Sequence, residues 1–209
     1  MRKLIVVYLI VIIELFLFSL ATAAPVTFEI SGTLNNVTNP DGIFDSSITE
    51  SSPFSGFYTF ESEALDENNY NALGVYNFSE QDFAMSVMIA GNTFESNSGG
   101  SIQLNNGYYI PHDRYTTFTS IDPQGYNSAY IIMEIEWLDY LISDDLLVEP
   151  PDLGEAFTNE FKVAYTTGTS TNVTNFVTGT LESIALVPEP ATIVLLGFGS
   201  LILFKKHRK

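Results

Sequence analysis

An all-β fold, an antiparallel β-sandwich of the jelly-roll-like or immunoglobulin-like kind, is what the sequence predicts for residues 24–186. Three observations predict it. Apolar and polar residues alternate with period two in many short stretches, the pattern of strands with one buried face. Clusters of turn formers separate the stretches: Asn39-Pro40-Asp41-Gly42, Ala90-Gly91-Asn92, Asn105-Asn106-Gly107 and Asp122-Pro123-Gln124-Gly125. No run in this region has a convincing helical period.

In chain order, Val26, Phe28 and Ile30 form the first apolar face, and Phe54–Phe60 and Gly74–Ser79 follow. Phe83, Met85, Val87 and Ile89 then alternate with Ala84, Ser86 and Met88. Ser101–Leu104 and Tyr115–Ser120 come next, and the intervening Asn106-Gly107 suits a type I′ hairpin turn. Ile131, Met133, Ile135 and Trp137 define a seventh strand, Phe161, Val163 and Tyr165 an eighth, and Thr178–Leu186 a ninth. A short helix is expected at Asp139–Leu147, ended by Pro150-Pro151. Ile30-Ser31-Gly32-Thr33-Leu34 echoes Val177-Thr178-Gly179-Thr180-Leu181. The match is too short for a repeat but fits first and last strands paired in one sheet. About 160 residues can bury close to 70% of their unfolded surface, enough for a core without disulfides.

Two apolar segments flank this body. Arg2 and Lys3 precede an almost unbroken apolar run, Leu4–Leu20, which ends in Ala21-Thr22-Ala23. That order is the order of a secretory signal peptide, residues 1–23, cleaved after Ala23. Glu14 interrupts the run, and a carboxylate at the centre of a membrane helix costs roughly 2.5–3.5 kcal/mol. At the other end, residues 187–209 read Val187-Pro188-Glu189-Pro190, then apolar Ala191–Phe204, then Lys205-Lys206-His207-Arg208-Lys209. The 14-residue run predicts a membrane helix of about 21 Å, short of a ~30 Å hydrocarbon core. The basic clusters at both termini belong on the cytoplasmic side, so the body between them is translocated. Prolines on both sides of Glu189 keep that stretch extended, a shape that suits a protease or transpeptidase cleft.

The chain carries 25 acidic residues against 8 basic ones, a net charge of −17. Only Arg114 and Lys162 are basic between the terminal clusters, and only Glu14 and Glu189 are acidic outside the body, which leaves it 23 acids against 2 bases. Such a surface repels nucleic acid. The absence of cysteine excludes disulfides, a thiol nucleophile and Cys-ligated metals.

Candidate chemistry is sparse. Glu134 and Glu136 share one strand face about 6.8 Å apart, inside the roughly 6.5–9.5 Å range of inverting glycosidases, but alternation with Met133, Ile135 and Trp137 already explains them as the solvent face. His112 is the one histidine of the body, and no Gly-x-Ser-x-Gly elbow accompanies it. Asp41 with Asp45, Asp66-Glu67-Asn68-Asn69 and Asp144-Asp145 offer oxygen ligands without EF-hand spacing. Tyr108-Tyr109, beside Asn105-Asn106-Gly107, is the aromatic pair best suited to a glycan. The threonines from Thr166 to Thr180 cluster without the regular repeat of an ice-binding face. No catalytic residue, metal site or cofactor is expected.

The Val187-Pro188-Glu189-Pro190 motif, the short apolar segment with Gly197 and Gly199 and the basic end together resemble the PEP-CTERM sorting signal, with lysines where an arginine-rich run is more usual. The resemblance covers only residues 187–209. It implies that Pro188, Glu189 and Pro190 are recognition residues for an exosortase of the inner membrane. It also implies a chain exported through the secretion machinery and signal peptidase, anchored transiently in the inner membrane, and destined for the envelope, surface or medium. A structural or adhesive role in the exopolysaccharide matrix follows as the expectation, with a carbohydrate-binding module as the alternative and a secreted glycan-active enzyme third.

Overall fold

The computed structural model describes residues 25–68, 70, 72–107, 112–138, 145–167 and 172–188. Nine strands make it up: β1 (Pro25–Thr38), β2 (Pro53–Glu61), β3 (Leu73–Asn77), β4 (Phe83–Ile89), β5 (Asn92–Asn106), β6 (Asp113–Ile121), β7 (Ser128–Trp137), β8 (Thr158–Thr167) and β9 (Asn172–Leu186). All pairings are antiparallel. The all-β expectation holds, but the sandwich does not. The ladder runs β5-β4-β2-β1-β9-β8-β7-β6 and returns to β5, so eight strands close into a barrel and β3 adds to β5 outside the ring.

The ladder slips at three strand pairs, one of them β8–β9 at Tyr165/Thr166, and the other two shape the closure. β5 pairs with β4 through Asn92–Glu95 and with β6 from Ser96 onward, with a register shift between Ser96 and Gly100. Such a bulge bends a strand and increases its twist, so one strand serves both walls. The second place is the β1–β9 seam, with shifts at Ser31/Gly32 and Leu34/Asn36. Here the echoed segments meet: Gly32 lies opposite Leu181, Thr33 opposite Thr180 and Leu34 opposite Gly179. Both glycines face inward against the ring of Phe54, which stacks on Phe161 with centroids 4.3 Å apart. A closed ring leaves few open edges to aggregate. The remaining free edge, on β3, is covered where Glu67 N–H donates to Val75 O and Val75 N–H donates to Asp66 Oδ1.

An eight-stranded barrel is just wide enough for side chains to fill, and here they do. Phe28, Ile30, Tyr58, Met85, Ile131 and Phe161 are among the fully buried residues. Near the middle, the Tyr58 and Tyr115 hydroxyls meet at 3.0 Å. Burial pushes both phenols well up, so both stay neutral across the physiological range. Tyr115→Phe leaves the Tyr58 hydroxyl alone in the core and is expected to cost about 1–3 kcal/mol. Adding Tyr58→Phe should cost much less than a second such loss, a non-additivity that a double-mutant cycle in urea reads directly. Two residues further along β6, Thr117 is fully buried and its hydroxyl has no hydrogen-bond partner. Thr117→Val removes a desolvated polar group and keeps the shape, so it should raise stability by about 1 kcal/mol. An unchanged or lower thermal midpoint would contradict that account.

Loop 39–52 closes one end of the barrel. Phe44 plugs it edge-on against Phe94 and Tyr165. Asp41 is tied down by Asn175 Nδ2 at 2.8 Å and the Tyr126 hydroxyl at 3.1 Å. The opposite end holds Trp137, whose Nε1–H donates to Asp152 O at 2.6 Å.

Several expectations change. Asn106-Gly107 is not a type I′ turn: Asn106 remains in β5 opposite Asp113, and only Gly107 has a positive φ, 63°. The tight primed turn is Ala90-Gly91, at φ 49° and 84°, which joins β4 to β5 directly. Of the short helix expected at 139–147, Asp145–Leu147 are not helical and the rest lies outside the described residues. Nor does the structure supply the expected C-terminal membrane helix. The described residues contain no helix long and apolar enough to cross a membrane, and residues 191–204 lie outside them, as does the signal segment, residues 1–23.

Candidate functional site

Period two places one residue in two of β6–β9 on the outer wall, and the registers align them into three rows. The first row runs Thr116, Glu134, Glu160, Thr180; the second Phe118, Ile132, Lys162, Thr178; the third Ser120, Tyr130, Ala164, Phe176. Both basic residues of the body belong to this region: Lys162 lies within the grid, and Arg114 flanks it opposite Glu136.

Arg114 joins the two glutamates. Its Nε donates to Glu136 Oε1 at 2.7 Å, its second terminal nitrogen pairs with the same oxygen, and its first lies 3.5 Å from Glu134 Oε2. His112 Nε2 donates to Glu136 Oε1 at 3.0 Å, and the imidazole packs edge-on against Phe157. Glu136 is 8% exposed. Burial pushes its carboxyl up, but the His112 and Arg114 hydrogen bonds and charges outweigh this and hold it below its ordinary value. Glu134 goes the other way. Burial raises it, Arg114 opposes, and the neighbouring Glu136 and Glu160 raise it further. The two carboxylates thus differ in proton affinity, as an acid–base pair must. Arg114 bridges them.

The other candidates serve the fold. Asp41 locks its loop to β9, Asp45 Oδ1 accepts from Ser47 N–H, and Asp66 Oδ1 accepts from Asn68 and Val75 N–H. Among the described residues no group of three or more His or acidic side chains could hold a metal ion. Tyr108 and Tyr109 lie outside the described residues. Pro188 ends them, while Glu189 and Pro190 fall beyond. Sequence reasoning missed Phe118, Tyr130 and Phe176 as a group. The available signal was that large apolar rings occupy outward positions of strands whose other outer residues are polar.

Further along β7 and β8, Tyr130, Ile132, Glu134, Glu160 and Lys162 line an open pocket of about 170 Å³. Phe118 and Tyr130 pack with centroids 5.5 Å apart, and Lys162 Nζ lies 5.2 Å over the Phe176 ring. Lys162 makes no ion pair among the described residues.

Fold and wall together define a filled, acidic antiparallel barrel whose last strand runs straight into a separate terminal segment: Val187 N–H still donates to Thr27 O at 2.8 Å, and Pro188 follows at once. That segment, residues 186–209, matches the family model of the PEP-CTERM protein-sorting motif, so the chain carries a PEP-CTERM sorting motif. The motif marks the chain for exosortase processing and for export to the cell envelope or surface. The match stops at the edge of the barrel. No curated protein and no solved structure matches the chain.

Proposed function

We propose that the protein is a non-catalytic surface component with a structural or adhesive role in the exopolysaccharide matrix. The observation that supports this reading best is the filled barrel interior, which leaves the outer wall as the contact surface. The Arg114 bridge between Glu134 and Glu136 argues against a glycosidase pair. The acidic body stays soluble and avoids polyanions. In this reading signal peptidase removes residues 1–23 after transport by the secretion machinery. The C-terminal segment then holds the barrel at the inner membrane until the exosortase acts at Pro188-Glu189-Pro190.

Mass spectrometry of both termini in fractionated cells tests the route. A start at Ala24 and an end at residues 188–190 in surface or medium fractions is the expected result. An intact Lys209 in the inner membrane overturns the processing step. The matrix role is tested by exopolysaccharide retained on washed cells with and without the protein; equal retention overturns it. The second reading, a carbohydrate-binding module, is favoured by the aromatic pocket on the outer wall.

A further inference from the structure

We propose that the groove on the outer wall of β6–β9 binds an uncharged hexopyranose unit of a polysaccharide, with Tyr130, Phe118, Glu160 and Lys162 as its contacts. The inference rests on the matrix reading and gives it a contact site. The pocket of about 170 Å³ is below the ~300 Å³ floor of drug-sized sites, so it suits one ring of a longer chain. It is open on the outer wall, so the polymer can continue on both sides.

The chemistry of the lining fits a sugar on each face. Tyr130 lines the pocket and Phe118 packs on it from the neighbouring strand, centroids 5.5 Å apart at a 35° tilt, which extends the pocket edge into a shallow aromatic shelf suited to the C–H face of a pyranose. Between Tyr130 and Phe176 the row narrows to Ala164, which is fully buried although it points outward. Polar groups stand around this shelf. The Tyr130 hydroxyl and the Glu160 carboxylate make no hydrogen bond to any described residue, and Lys162 Nζ rests only on the Phe176 face. One two-way group, one acceptor and one donor are what vicinal hydroxyls need. Glu134, whose other partner is Arg114, supplies a further acceptor.

Charge sets the specificity. Glu134 and Glu160 sit opposite each other across β7 and β8, and the body as a whole holds 23 acids against 2 bases. A uronate or a sulfated sugar is repelled both at the groove and at long range. Neutral hexoses pay no such penalty.

The test is affinity electrophoresis and calorimetry of the full chain in a neutral detergent. The probes are laminarihexaose, cellohexaose and maltohexaose, with hexagalacturonate as the anionic control. At least one neutral hexasaccharide is expected to bind, and hexagalacturonate at least tenfold more weakly. Tyr130→Ala should weaken binding at least tenfold and Glu160→Gln several-fold. Phe118→Ser removes shelf area from a residue that is already 37% exposed, and so separates loss of binding from loss of fold. Each variant is checked for an unchanged circular-dichroism spectrum. Binding that survives both Tyr130→Ala and Phe118→Ser, preferential binding of the uronate, or no binding of any neutral probe overturns the proposal. The matrix reading is judged separately by exopolysaccharide retention on cells, so the two can fail independently.

Discussion

Gly32→Ala is expected to destabilise the barrel by about 3 kcal/mol, the upper end of overpacking costs. A Cβ at this position would lie 2.0 Å from Thr180 O and 2.6 Å from the Phe54 ring. The carbonyl belongs to the neighbouring strand, so no rotamer change relieves the contact; the seam itself must open. Gly179→Ala meets the same Phe54 ring at 2.9 Å and Thr33 O at 2.8 Å, and should cost less. Phe54→Leu in the Gly32→Ala background removes the ring contact but not the carbonyl, so only partial recovery is expected. Urea midpoints of the three variants decide the matter. A loss under 1 kcal/mol for Gly32→Ala would mean that the β1–β9 seam is softer than its geometry implies.

Arg114→Ala is expected to cost about 2 kcal/mol at neutral pH, less than a fully buried pair because the guanidinium is a third exposed. The loss should depend on pH in a definite direction. Glu136 is held below its ordinary value, so its contribution is present above that ordinary value and is lost as pH falls through the lowered one. Glu134 is raised, so it favours the folded state at low pH, and that advantage disappears as pH rises through the raised value. Removing Arg114 weakens the first effect and pushes Glu134 higher still. Both changes make the gap between wild type and variant widen with rising pH and close in acid. Thermal midpoints from pH 3 to 8 measure the gap. A constant gap would assign the role of Arg114 to the packing of its stem instead of its charge.

Much of the fold was legible because alternation is a local property. The strands containing Phe83–Ile89, Ile131–Trp137 and Phe161–Tyr165 lie where period two places them. A sandwich and a barrel, however, share that alternation. What separates them is whether the outer strands bond to each other, and this was decided by the slips at Ser96/Gly100 and Ser31/Gly32, where glycine permits a contact the sequence does not display. The echo between Gly32-Thr33-Leu34 and Gly179-Thr180-Leu181 was the one visible trace of closure. The sorting motif was legible because it is a linear signal read in order. The outer groove was not, because Phe118, Tyr130, Lys162 and Phe176 come from four strands and become neighbours only through register.

The pairing of first and last strands also sets the posture of the molecule. Because β1 and β9 are antiparallel partners, with Phe28 beside Leu186, the chain enters and leaves at the same pole of the barrel. Pro188 follows a residue still bonded to β1. The seam that closes the ring therefore also brings the first described strand and the start of the sorting motif to one place.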